Sequence, residues 1–292
     1  MRKQIIDAIY NQMEVDERIF FLIGDMGINL VEKIEQKFPK RFVNVGIAEQ
    51  NLISVSAGLA NAGFRPIAYT ISNFLIHRCF EQIRNDIVLH HYPVTLLGTS
   101  AGFDNSPLAP THHIIDEWGA LRSFPGMDIY SPSSVKYAES ILTKVLARNR
   151  PAYIRVPKGE FASPNSEDDI VYLKGAANKV LLVSYGTAAQ DCLRAQEKNP
   201  DFGCLILNQL VPLDRKGVLT ALNDYGQIVV VEDHFGATGL YGMICELCAS
   251  SGVLKQITSR SPDDYTFEVG KSNAYFHKKY RFDTESLLAD LK

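Results

Sequence analysis

Arg41–Gly63, RFVNVGIAEQNLISVSAGLANAG, changes its hydrophobic period partway along. Phe42, Val43 and Val45 predict a short strand, Gly46 a turn, and Leu52, Val55 and Leu59 recur at helical spacing. Glu49 thereby falls in the first turn of a helix, directly behind a strand end. Ligands of parallel α/β sheets gather at the carboxyl ends of the strands, so Glu49 is the first candidate functional residue. An acid in a first turn also complements the helix dipole, and position alone leaves both roles open. The helix is rich in small residues (Ser54, Ser56, Ala57, Gly58, Ala60, Ala62), a composition that lets another backbone approach closely.

The same alternation extends outward. Residues 3–15 read as an amphipathic helix. Strands are predicted at Ile19–Gly24, Phe42–Val45, Pro66–Thr70, Val94–Thr99, Met127–Tyr130 and Ala152–Val156, with helices near 30–38, 48–62, 73–90, 114–123 and 133–148. This order implies a mostly parallel six-stranded sheet covered on both faces. Residues 161–178 begin polar and aperiodic and are read as a linker between a first domain, 1–160, and a second, 179–292. The second is a smaller α/β unit: strands Val180–Ser184, Cys204–Leu207 and Gln227–Glu232 alternate with helices near 188–197, 214–222 and 239–250. A short strand near Ile257, an irregular basic-aromatic stretch and a terminal helix complete it.

At 292 residues the chain suggests one large or two medium domains, ample for a buried core. A net charge of −3 without a basic stripe argues against a nucleic-acid partner. No signal-peptide core and no membrane-length apolar run occur. Five cysteines at irregular spacing point to a reducing compartment, and the expected location is cytoplasmic. Cys245-x-x-Cys248, with only His234 nearby, has no second pair to make a zinc or redox site. No metal site is expected on this chain. Gly236 and Gly239 fit a tight strand-to-helix turn, and the absence of G-x-G-x-x-G disfavours a dinucleotide.

GIAEQN followed by a small-residue helix resembles the pyrimidine-binding domain of the transketolase family of thiamine diphosphate enzymes, which includes the deoxyxylulose-phosphate synthases. The likeness continues through Asn73–Asp86, Pro110–His112, Leu121–Pro132 and Tyr153–Gly159, most of the first 160 residues. VEDHFGATGLYG resembles a segment of the family's carboxy-terminal domain. The resemblance implies that Glu49 activates the cofactor's aminopyrimidine ring, with Phe74 stacking on it and Ile71 standing where a first aromatic is usual. Phe74 fits a plain core position equally well by spacing. His77 projects toward the same pocket as a weaker candidate. Asp25 coincides with a family Asp near the reactive ring, although an Asp-Gly turn explains it as well. Asn29 falls where the family carries a substrate-contacting Ser.

The resemblance further implies that His112, in Pro110-Thr111-His112, faces the substrate and donates hydrogen bonds to developing oxyanions. His113 is a secondary candidate. Lys158 coincides with a phosphate-contacting Arg and can act as a point charge; Arg155 is either a further substrate contact or structural. Two departures matter: Leu108 replaces an Asp that contacts a sugar hydroxyl, and Ser100 replaces a His. Both weaken the expectation of an ordinary pentose or hexose phosphate.

Gly24-Asp25-Met26-Gly27 is not the family's GDG…N diphosphate motif, because Met26 replaces the third glycine. The sequence starts almost at the pyrimidine-binding domain. The expectation is therefore a split enzyme in which a separate amino-terminal subunit holds the diphosphate and Mg2+, most simply as α2β2. The leading reading is transfer of a two-carbon ketol unit from a ketose-type donor to an aldehyde acceptor. A β subunit of a 2-oxoacid dehydrogenase first component and a non-catalytic assembly partner are the alternatives. The P-T-H loop and Arg122–Met127 favour the transketolase side.

Overall fold

The computed structural model describes residues 1–159 and 166–291. Among the described residues, twelve strands form two sheets. β1 (Ile19–Ile23), β2 (Phe42–Asn44), β3 (Arg65–Ile71), β4 (Thr95–Thr99), β5 (Asp128–Tyr130) and β6 (Ala152–Val156) are mutually parallel, in the order β5-β6-β4-β3-β1-β2. β7 (Ile170–Leu173), β8 (Val180–Ser184), β9 (Gly203–Leu207), β11 (Gln227–Val231) and β12 (Gln256–Arg260) form the second sheet, ordered β12-β11-β8-β9-β7. Only β7 runs antiparallel there, against β9.

Two features differ from the sequence reading. The first sheet has seven strands rather than six: β10 (Gln209–Val211), from the second half of the chain, pairs antiparallel with β5. A three-residue strand in another domain leaves too little periodicity to be assigned to this sheet. The second is the predicted linker, 161–178, which contains β7; its residues 161–165 lie outside those described.

Alternation along β1 sorts the core. Phe21 and Ile23 face a layer made by helices Arg2–Val15 and Val135–Arg148, whereas Leu22 faces helix Glu49–Asn61. Helix Val135–Arg148 buries Ala138, Ile141, Leu142 and Val145 at helical spacing. The Ser134 hydroxyl caps its start by accepting from Tyr137 N, and Asn149 ends it in the left-handed region at φ +49°. The layer containing Leu52, Ala68 and Leu96 runs on into Leu181, Val183 and Leu240 of the second domain, so one apolar core spans both.

The predicted helix 73–90 is broken into Ser72–Ile76, Phe80–Gln82 and a wider turn at Ile83–Val88. At the break the Cys79 thiol donates to the Phe74 carbonyl at 3.4 Å, an acceptor that an unbroken helix gives to a backbone N–H. The small residues of helix Glu49–Asn61 do not all meet a neighbour within this chain: a Cβ on Gly58 would touch nothing within 4 Å.

Candidate active site at the carboxyl edge of the first sheet

Three strand ends converge on Glu49. After β2 the chain turns at Gly46, whose φ of +75° favours glycine, and Glu49 opens the helix. The Asn44 side chain ties β1 to β2, accepting from Asp25 N at 3.1 Å and Gly46 N at 2.9 Å. A Cβ on Gly24 would lie 2.9 Å from Thr70 Oγ1 and 3.7 Å from Glu49 Oε1, so β1 and β3 also end against this carboxylate. Glu49 is 2% exposed.

Its partner is Arg78, whose Nη1 donates to Glu49 Oε2. The same guanidinium lies over the Phe74 ring, 4.5 Å from the centroid, a favourable cation–π placement. His112 meets the Phe74 ring edge-on, with centroids 5.2 Å apart at 70°. The loop carrying His112 is fixed from two directions. Asn73 Nδ2 donates to Pro110 O at 3.0 Å, and Thr111 Oγ1 lies 2.9 Å from His112 Nδ1. Buried carboxylate, aromatic face and imidazole edge thus form one cluster.

His77 stands at the rim. Its Nε2 is 2.8 Å from Asp116 Oδ1, and Tyr265 OH donates to Asp116 Oδ2 at 2.6 Å. The hydrogen bond to Asp116 raises the His77 pKa above the ordinary histidine value, against an opposing effect of burial.

The remaining sequence candidates fall elsewhere. Ile71 is the half-buried last residue of β3, immediately before Ser72. Asp25 is exposed at φ +50° and accepts from Asn44 Nδ2 at 3.1 Å; exposed Asn29, at φ +66°, donates its N–H to Glu32 Oε1 at 2.6 Å. Ser100 is buried behind β4 with no partner on its hydroxyl. His113, read as a secondary substrate contact, turns away from His112 into the core beside Phe103 and Phe276. Burial pushes its pKa down to about 4. Lys158 donates its ammonium to Asn105 and lines a different cavity.

Arg155, for which substrate contact was one reading, is fully buried. Its Nε donates to Glu117 Oε1 at 2.5 Å and its Nη1 to Asp233 Oδ1 at 2.7 Å. Through these ion pairs Arg155 clasps the two domains. Around it, Glu232 accepts from Leu240 N and Tyr241 N at 2.8 and 2.9 Å, capping helix Leu240–Ser250. Gly239 is required there because a Cβ would come within 2.3 Å of Glu232 Oε2.

Arg78, Asn73, Asp116 and Tyr265 were not singled out from sequence. The available signal was the spacing of Phe74 and Arg78, which fall at i and i+4 on one face of the predicted helix 73–90.

Among the described residues, no group of three or more His, Cys, Asp or Glu side chains is placed to hold a metal ion, and no helix is long and apolar enough to cross a membrane.

The two domains and a buried acid at the strand ends define an α/β enzyme-type scaffold, and comparison with known proteins agrees. Residues 1–163 match the family described as transketolase, pyrimidine binding domain, and residues 170–274 match transketolase, C-terminal domain. The chain belongs to the transketolase family. Similar curated proteins include an apulose-4-phosphate transketolase subunit of Actinobacillus succinogenes, 28% identical over 87% of this chain and 84% of that one. The protein of the same description from Phocaeicola vulgatus is 27% identical over 98% and 94%. 1-Deoxy-D-xylulose-5-phosphate synthase of Aquifex aeolicus is 29% identical over 91% of this chain, which spans 44% of it. A solved structure described as a split gene transketolase, inactive beta4 tetramer, superposes with a TM-score of 0.86 at 24% identity, covering 99% of this chain and 95% of that one.

Proposed function

We propose that this chain is the pyrimidine-binding subunit of a split, thiamine diphosphate-dependent transketolase-type enzyme that moves a two-carbon ketol unit from a ketose-type donor to an aldehyde acceptor. The observation that carries the reading is the Glu49–Arg78–Phe74 stack. A planar, cationic, N–H-donating guanidinium lies on the Phe74 face and hydrogen-bonds the buried Glu49 carboxylate. A flat heteroaromatic ring with a protonated nitrogen satisfies the same two demands, so Arg78 occupies the place of an aminopyrimidine and must yield it. The residues present fit that group.

Bound thiamine diphosphate supplies the carbon nucleophile and electron sink for ketol transfer. Glu49 would hold the ring through a charge-assisted hydrogen bond to one of its nitrogens. Phe74 would stack on the ring, and His112, edge-on to Phe74, would donate to substrate oxygens. Leu108 and Ser100 replace two polar side chains of the usual sugar site, which supports a substrate other than a common pentose or hexose phosphate. Apulose 4-phosphate, named for two relatives, is the first donor to assay.

A separate subunit carries the diphosphate and Mg2+, in an α2β2 assembly. Ile28, Ile47 and Leu108, 81%, 77% and 57% exposed in the segments beyond β1, β2 and β4, support a partner covering this edge. The test is reconstitution with an amino-terminal transketolase-type subunit. Thiamine diphosphate is expected to bind tightly only to the mixture. Glu49→Gln is expected to leave assembly intact while lowering turnover at least about 10²-fold. Turnover equal to the parent enzyme would remove Glu49 from the catalytic role.

A further inference from the structure

Between β12 and a helix at Asn273–Lys279, residues 261–272 of the second domain form neither helix nor strand. Hydrogen bonds lay this strap along the loop of the first domain that bears His112. Asn273 Nδ2 donates to Asp104 Oδ1 at 2.8 Å, and Ser106 Oγ donates to the Lys271 carbonyl at 2.9 Å. Gly270 N donates to the Pro107 carbonyl at 3.0 Å, and Tyr265 OH to Asp116 Oδ2 at 2.6 Å. Residue numbers fall along the strap as they rise along the loop, so the two run in opposite directions from Asp104 to Asp116.

Apolar burial is not what lays the strap there. Thr266 is buried, but the larger apolar residues Phe267 and Val269 remain 79% and 69% exposed. The anchors are polar, and the outermost two are charged. Asp104, at one end of the loop, accepts from Lys158 N of the first domain at 2.7 Å and from Asn273 of the second. Asp116, at the other end, meets His77 of the first domain through Oδ1 and Tyr265 of the second through Oδ2. A carboxylate divided in this way fixes its own chain segment relative to both domains, and charge-assisted hydrogen bonds are stronger than neutral ones.

Tyr265 is well made for its end. Its bond to Asp116 pushes its pKa up to about 12, so the hydroxyl keeps its proton and donates. Its ring packs edge-on to Phe235, centroids 4.9 Å apart, and Phe235 N donates to the Ile115 carbonyl at 2.8 Å. Between the two ends the loop holds its own shape. Leu108 N and Ala109 N donate to the Asn105 and Ser106 carbonyls, and His112 N and His113 N both donate to that of Ala109. Local turns therefore shape the loop, and the divided carboxylates place it.

We infer that the second domain is a working part of the proposed active site: its strap, anchored by Tyr265 and Asn273, positions the loop that presents His112 to substrate. Both are positioning residues, and the catalytic half of the inference rests on the reading of the Glu49 cluster. Tyr265→Phe and Asn273→Ala, singly and together, test it without altering the loop's own sequence. Hydrogen–deuterium exchange of the chain alone reads the placement. The amides of Leu108, Ala109, His112 and His113 are expected to exchange about tenfold faster or more in the double variant, with those of helix Glu49–Asn61 unchanged.

In the reconstituted pair, with apulose 4-phosphate as donor, kcat is expected to fall about tenfold or more while thiamine diphosphate affinity stays at the parent value. A strap that merely stabilises the chain would lower the unfolding midpoint and leave kcat of the folded pair unchanged. Unchanged exchange in the double variant, or faster exchange with unchanged kcat, would overturn the assignment. A parent pair that binds no thiamine diphosphate would strike the Glu49 reading and the catalytic half together. The exchange measurement tells that failure apart, because it needs neither cofactor nor partner.

Discussion

Two arginines in this chain each meet a buried carboxylate, and they are built for opposite purposes. Arg155 has no exposed surface and is held by Glu117, Asp233 and the carbonyls of Ile114 and Asp233. Arg78 keeps 43% of its side chain exposed and is held by one carboxylate and one ring face. Breaking the first leaves two acids stranded in a dry interior. Releasing the second admits water, or a flat ligand, to the place it leaves. Under the proposed function the same ion pair is a fixed clasp in one setting and a removable stopper in the other, and the difference lies in how many sides are closed.

The contrast can be broken most forcefully at the clasp. Arg155→Met is expected to destabilise the chain by about 3–5 kcal/mol, read as a lower midpoint in denaturant unfolding; a change below about 1 kcal/mol would mean that Glu117 and Asp233 find other partners. Arg78→Ala is expected to cost no more than about 1 kcal/mol, and in the reconstituted enzyme to preserve or tighten thiamine diphosphate binding if Arg78 acts only as a stopper. Loss of cofactor affinity in that variant would instead make the guanidinium part of the cofactor's own site.

The smallest effect concerns the rim. Asp116→Asn should lower the His77 pKa toward the free value, about 6.5, followed by NMR of the imidazole. Because the folded value is raised, the stabilisation from this pair is complete below the free value and fades as pH rises through the folded one. An unmoved titration would show that Asp116 does not govern His77.

Much of the scaffold is visible in the sequence because it rests on local period. Val180–Val183 is a continuous apolar run and Ala152–Val156 is interrupted only by Arg155, and the structure places strands over both. Glu49 is visible because a strand, a glycine and a helix follow one another within a few residues. What local pattern cannot carry is partnership at a distance. Arg155 meets acids 38 and 78 residues away, so its commitment to the interior is invisible beside a motif that suggests a substrate contact. His112 and His113 are neighbours in sequence, yet one faces Phe74 and the other the core beside Phe103. The break after Ile76, beyond which Arg78 meets Glu49, coincides with a thiol-to-carbonyl contact that helix periodicity does not register.

The loan of β10 to the first sheet bears on how this protein can be cut. A fragment ending at residue 159 would leave the backbone of β5 uncovered along its outer margin, and a bare margin of this kind recruits strands from other molecules. Efforts to obtain a minimal version of the first domain must therefore carry Gln209–Val211 along, by grafting or by co-expressing the remainder; otherwise the excised piece is expected to clump as it folds.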